Sequence, residues 1–220
     1  MPIVGLEMPD GRKVRFEELD KKDVLYPVFQ AMQRYANREH HRISVTRLVD
    51  CLRRSYALEY DEVYVPPQRY LRMMYGTAMH TILGAMEVPV AWETPDGITV
   101  YGSIDYLTEE RLIDFKTVRS LPGQTMKNHA LQINLYHFLL RHNTIGEQRN
   151  VPRLNVVYVD MEGNWESHRV RIKDHDFLHD FIRKRAKILH DALEKRIPPP
   201  EENDWLCRHC FVRKNCLWWF

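Results

Sequence analysis

Apolar positions along this chain follow two rhythms, and the switches between them mark out its elements. Over residues 23–38, Leu25, Val28, Phe29, Met32 and Tyr35 recur at three- and four-residue steps, which predicts a helix. A second helix should begin near Ser44 or Thr46, either of which can cap it, and run through Leu48, Cys51, Leu52 and Tyr56. Pro66 and Pro67 break the pattern. A third helix is expected over about 68–86, with Gly76 and His80 four apart on one face. Strand-like stretches follow at 88–93, 98–107 and 111–118, the first two joined by the turn residues Thr94, Pro95, Asp96 and Gly97. After Pro122 and Gly123 come a helix over 126–141, strands over 153–160 and 165–172, and a long charged helix over 176–195. Pro198, Pro199 and Pro200 end that helix and form a stiff spacer.

A length of 220 residues allows one medium domain with a real core, and no repeat of solenoid period is visible. The order of elements reads as mixed α/β. Three stretches of one compact unit are expected: an N-terminal helical region over 1–67, a core over 68–197 and a tail over 198–220. A formal charge of +2 gives no argument for nucleic acid as a partner, so any such binding has to come from local clusters. Arg53 with Arg54, Arg69 with Arg72, and Arg183, Lys184 and Arg185 are the candidates. The first residues lack a secretory pattern and no stretch is apolar for long enough to span a bilayer, so a cytoplasmic protein without a membrane is expected. In that reducing setting, four cysteines with one C-x-x-C pair suggest metal ligands or redox groups rather than disulfides.

The densest chemistry lies at Asp105, Asp114 and Lys116. A hairpin turning at Glu109 and Glu110 places the two aspartates opposite each other, with Cβ atoms about 4.5–5.5 Å apart. Alternation puts Lys116 on the face of Asp114 and turns Ile113 and Phe115 to the other. Facing carboxylates repel and are costly to bury, so a cation between them makes sense of the pattern, and oxygen ligands favour Mg²⁺ or Mn²⁺. A bare pattern of this kind is more often a solvated sheet face. The apolar neighbours Ile104, Leu112, Ile113 and Phe115 shift the balance toward a buried hairpin. Gln132 and Tyr136 share a face of the following helix, as polar tips in an apolar run. A Gln there can hold a water or the lysine and a Tyr can meet a phosphate, while the plainer reading is two satisfied polar tips.

The ordered set Gly76-x-x-x-His80, Gly102-x-x-Asp105, Asp114-Phe115-Lys116 and Gln132-x-x-x-Tyr136 resembles the RecB-type nucleases of the PD-(D/E)xK superfamily. With Cys51 upstream and Cys207-x-x-Cys210-x(5)-Cys216 downstream, the chain looks like the CRISPR-associated RecB-like exonucleases, iron-sulfur nucleases of the adaptation machinery. The resemblance implies a restriction-endonuclease-like mixed central sheet flanked by helices, with N-terminal helices and a cysteine-rich metal-cluster tail. It implies His80, Asp105, Asp114 and the backbone carbonyl of Phe115 as metal ligands, Lys116 as the catalytic lysine beside Asp105 and Asp114, and Gln132 and Tyr136 as supporting or DNA-binding groups. It also implies Mg²⁺- or Mn²⁺-dependent cutting of DNA, commonly from the ends of single strands, in spacer acquisition for antiviral defence, with integrase proteins as possible partners. Asp114 stands where the family more often has Glu. Residues 1–40 match no named pattern, and a catalytically idle DNA-binding or scaffolding subunit is the alternative.

Cys51, Cys207, Cys210 and Cys216 can supply a four-thiolate shell for Zn²⁺ or for an iron-sulfur cluster, and spacing does not separate these. A redox C-x-x-C pair would leave Cys51 and Cys216 without a role. The resemblance favours [4Fe-4S], with [2Fe-2S] as the alternative. Such a centre would clip the tail to the helix of Cys51, with Arg53, Arg54 and Tyr56 beside it either lining a DNA path or lying on a solvated face. The terminal Leu217, Trp218, Trp219 and Phe220 would pack over it or dock a partner protein.

Overall fold

The computed structural model describes residues 3–18, 42–200 and the single positions 20, 22, 26, 28, 30, 31, 33, 207, 210, 212 and 216. Much of the helix expected over 23–38, and all of Leu217 to Phe220, lie outside the described residues.

The N-terminal region contributes strands as well as helices. Strand β1 (Ile3–Glu7) pairs antiparallel with β2 (Lys13–Arg15) and parallel with β3 (Val63–Val65), giving the order β2-β1-β3. Between them the single helix expected from Ser44 is two. Ser44 caps α1 (Val45–Val49) by accepting from Arg47 N at 3.4 Å, the chain turns extended at Asp50, and α2 (Leu52–Tyr60) restarts with Cys51 as its first cap. Arg185 holds that break open, donating to the carbonyls of Leu48 and Asp50 that a continuous helix would have used.

Helix α3 (Pro67–Ile82) starts on the second proline, where the missing N–H costs nothing. Strand β4 (Val88–Glu93) and β5 (Thr99–Ile104) form a two-stranded antiparallel ribbon whose turn uses Gly97 at φ 76°. The strand expected over 98–107 breaks at Asp105. Beyond it, β6 (Tyr106–Leu107) joins a different sheet, of order β6-β7-β8-β9, with β7 (Arg111–Thr117), β8 (Arg153–Val159) and β9 (Trp165–Val170). Strands β7 and β8 run parallel, which requires a crossover, and α4 (Lys127–Arg141) supplies it. After β9 comes α5 (His175–Lys195), capped by Asp174, whose side chain accepts from Phe177 N.

One apolar core joins Leu48 and Leu52, the ribbon residues Val90 and Val100, the sheet residues Leu112 and Val156, and α4 and α5 through Leu139 and Leu189. Helix α4 is apolar around most of its circumference because the four-stranded sheet, the ribbon and α5 all cover it. A smaller second core gathers Leu6, Phe16, Val65 and Tyr70, with Val212 of the tail.

Candidate active site and cysteine corner

The turn after β6 places Glu109 and Glu110 at its tip, closed by Thr108 N donating to Arg111 O at 2.9 Å. In this hairpin Tyr106 faces Ile113 and Leu107 faces Leu112, and just beyond its last pair Asp105 and Asp114 lie close enough for their charges to interact. Asp105 itself lies in the bend where the chain leaves the ribbon. Its Oδ2 accepts from Phe115 N at 2.7 Å, bridging the gap that a ladder bond would otherwise close.

His80, from the last turn of α3, reaches the same point. Its Nδ1 is 3.4 Å from Asp105 Oδ1, and its Nε2 lies 3.1 Å from the carbonyl oxygen of Phe115. The hydrogen bond to Asp105 holds the imidazole pKa above its ordinary value against the effect of burial. Lys116 and Asp114 form a close pair: Nζ donates to Oδ1 at 2.9 Å and lies 2.8 Å from Oδ2, which is buried without a hydrogen bond. Burial pushes the Asp114 carboxyl up, the Lys116 ammonium opposes this, and the like charge of Asp105 adds to the rise. For Lys116 burial disfavours the charge, but Asp114, Tyr136 and Asp105 together outweigh it and hold the amine pKa above its ordinary value.

Thus His80, Asp105, Asp114, the Phe115 carbonyl and Lys116 converge. The donor set suits a hard divalent ion: a carbonyl, an imidazole and two carboxylates, one of which has a buried oxygen with only the Lys116 ammonium beside it. No group of three or more His, Cys, Asp or Glu side chains among the described residues is set to hold a metal as it stands. The hydrogen bond from His80 to Asp105 and the Lys116 ammonium draw the carboxylates toward other partners.

Beside this point a cavity of about 350 Å³ opens, walled by Arg72, Gly76, His80, Phe115 and Lys116. A Cβ on Gly76 would meet only Thr117 Oγ1, at 3.9 Å, so the missing side chain leaves room in the cavity rather than allowing close packing.

Gln132 and Tyr136 stand on the face of α4 toward the site but do not bond Lys116. The Gln132 amide donates to Tyr136 OH at 3.0 Å and to Thr46 Oγ1 at 3.1 Å, so the expected contact to the lysine is replaced by a buried triad. Burial raises the Tyr136 phenol pKa, and the Asp114 charge raises it further. Gly102 is needed here: a Cβ would sit 2.9 Å from Tyr136 Cδ1 and 3.1 Å from Val90 Cγ2.

Three neighbours went unread in the sequence. Tyr158 lies opposite Lys116 in the parallel register, and its hydroxyl meets His129 Nδ1 at 3.0 Å and accepts from Met126 N at 3.0 Å. Burial, helped by the Lys116 charge, pushes His129 down to about 4. Thr46 was legible only as a possible cap.

Two of the tail cysteines have neighbours around the start of α2, where Cys51 stands. Arg53 Nη1 donates to Cys216 Sγ at 3.6 Å, Cys210 lies close enough to Asp50, Arg54 and Arg69 to feel their charges, and Cys51 sits between Asp50 and Arg53 in sequence. Burial raises the Cys210 thiol pKa. All four are free thiols of intermediate exposure. The basic clusters are largely spent on structure: Arg53 also donates to Pro199 O at 2.8 Å, Arg54 pairs with Asp50, and Arg183 pairs with Asp96 at 2.9 Å. Arg72 is the member of those clusters that lines the cavity.

Residues 84–217 match the PD-(D/E)XK nuclease superfamily. No curated protein sequence matches the chain. The crystal structure of SSO0001 shares the fold, with a TM-score of 0.60 at 20% identity over 86% of this chain and 93% of that one. A protein of Eubacterium rectale whose name proposes an exonuclease aligns at a TM-score of 0.37 and 16% identity, over 63% of this chain and 57% of that one. No helix among the described residues is long and apolar enough to cross a membrane.

Proposed function

Because the chain belongs to the PD-(D/E)XK nuclease superfamily and is a nuclease, we propose that it is a divalent-metal-dependent DNA exonuclease acting on ends of single strands. The observation that carries this is the buried Asp114 carboxylate, joined to Lys116 and set beside Asp105 and His80 on the wall of an open cavity. His80, Asp105, Asp114 and the Phe115 carbonyl would hold Mg²⁺ or Mn²⁺. When bound, that ion supplies Lewis-acid polarisation of the scissile phosphate and a water of lowered pKa. Lys116, kept charged by Asp114, orients the attacking water and offsets the negative charge that builds on phosphorus. Arg72 attracts the phosphate into the cavity, and the Thr46, Gln132 and Tyr136 triad fixes the wall of α4 behind it.

The resemblance to CRISPR-associated RecB-like exonucleases supports a place in spacer acquisition, alongside integrase proteins. Cys51, Cys207, Cys210 and Cys216 would hold a [4Fe-4S] cluster, with [2Fe-2S] as the alternative. Their soft donors, and the guanidinium groups of Arg53 and Arg54 nearby, fit an anionic thiolate cluster. In this role the cluster is structural, fixing the tail after the proline run to the start of α2.

Product mapping on 5′- and 3′-labelled single strands with Mn²⁺ and Mg²⁺ tests the reading. The parent should shorten strands from one end, and Lys116→Ala should be slower by about 100-fold or more while keeping its melting temperature within a few degrees. Equal rates for the two proteins would rule out this active site, and internal cuts alone would rule out the exonuclease assignment.

A further inference from the structure

Away from the cavity, three imidazoles meet where α4 ends and α5 begins. His142, the residue that caps α4, sets its Nε2 2.9 Å from Nε2 of His175 in the first turn of α5. His179 follows one turn later, its ring stacked near that of His175 at 6.5 Å between centroids. Each helix histidine is followed by an aspartate that meets its other nitrogen. His175 Nδ1 lies 3.1 Å from Asp176 Oδ1, and His179 Nδ1 lies 3.4 Å from Asp180 Oδ1. The sequence carries this as a doubled His-Asp at four-residue spacing, a pattern that neither the nuclease chemistry nor the core uses.

An Nδ1–H given to a carboxylate fixes the tautomer and leaves the Nε2 lone pair as the donor, the arrangement that supports metal-ligating histidines elsewhere. Two nitrogens bound to one tetrahedral ion at about 2.0–2.1 Å stand roughly 3.3 Å apart. The pair at 2.9 Å therefore needs only a small opening. Phe138 supports the rings, at 4.6 Å from His142 and 5.2 Å from His175, and Trp92 backs His179 at 5.4 Å. Side chains of His175 and His179 are 41% and 31% exposed, so an ion can reach them. Burial holds the His142 pKa below its ordinary value, and the charges of His175, Arg141 and His179 add to that effect. Because the His175 Nε2 lone pair faces it, His142 Nε2 donates its N–H to that nitrogen, and binding an ion shifts this proton to Nδ1.

We propose that His142, His175 and His179 form a second metal site, for a borderline first-row divalent ion such as Zn²⁺ or Ni²⁺, which clips the end of α4 to the start of α5. The His142 and His175 pair provides the first two ligands, once the proton they share has moved to the far side of the His142 ring. His179 completes the protein side by rotating its ring, since no three such groups among the described residues are yet in ligating position. Imidazole ligands separate this site from the oxygen-rich cavity, which suits harder ions. Asp176 and Asp180, each against the Nδ1 of its neighbouring histidine, supply negative charge to balance the ion.

Calorimetric titration of the full chain with Ni²⁺ tests the proposal. The parent should show a binding event that disappears in the double variant His142→Gln/His175→Gln and weakens at least tenfold in His179→Gln. The same event should persist in Asp114→Asn and in Cys207→Ser/Cys210→Ser, which separates it from the cavity and from the cysteine corner. A folded double variant that binds Ni²⁺ with the parent's affinity and stoichiometry overturns the site. A second measurement needs no variant: in imidazole ¹⁵N spectra of the parent, Zn²⁺ should move the Nε2 signals of His142 and His175 and leave those of His137. Unmoved His142 and His175 signals at saturating Zn²⁺ overturn it equally.

Discussion

His129 shows what burial, with the Lys116 charge nearby, does to a residue outside the cavity lining. Burial first, and Lys116 second, push its pKa down to about 4. Its unfolded counterpart titrates near the ordinary value of about 6.5. Between these limits the unfolded chain binds more protons than the folded one. Stability from this group is therefore complete above pH 6.5, and it falls as pH drops toward 4 by about 1.4 kcal/mol per unit. His129→Gln should flatten that part of the profile, read as urea midpoints at pH 4.5, 5.5 and 7. If the variant and the parent lose stability equally, another group carries the effect. Lys116, by contrast, was legible in the sequence, because Asp-x-Lys on one strand puts both side chains on one face whatever the register. The pairing of His129 with Tyr158 was not, since it depends on which residue of β8 lies opposite Lys116, and no short turn fixes a parallel register.

At the level of elements, the helix and strand pattern from residue 88 onward followed the periodicity closely, with ends shifted by a few residues. Two features escaped it for the same reason. The breaks at Asp50 and at Asp105 leave the apolar rhythm unchanged on either side, so neither the gap between α1 and α2 nor the passage from β5 to β6 leaves a mark in spacing. The strands β1 to β3 were missed because they are short and β3 pairs across most of the N-terminal region. Gly102 tests the fit between the ribbon and α4. Gly102→Ala pushes a methyl against a Tyr136 ring held by Gln132, so it should cost about 1–3 kcal/mol in thermal or denaturant unfolding. A variant as stable as the parent would mean that the ring gives way freely, and that the triad does not brace the site.

Across the whole molecule, α2 contributes Leu52 to the main core and Ala57 to the smaller N-terminal core, and the tail cysteine Cys210 packs against the smaller one. A proposed cluster joining Cys51 to the tail therefore bears on the N-terminal core more than on the nuclease sheet. Cys51→Ser should bleach the visible absorbance of the purified protein and lower its melting temperature by several degrees, with iron content falling in step. Unchanged iron and an unchanged melting point would count against the four-thiolate shell. The position of Asp105 has a broader meaning. The backbone leaves one sheet and enters another at this residue, so a proposed ligand sits at the pivot of the β4–β5 ribbon. An ion gripped there would brace a hinge, and its tightness and the stiffness of the ribbon would become a single property that selection cannot tune separately.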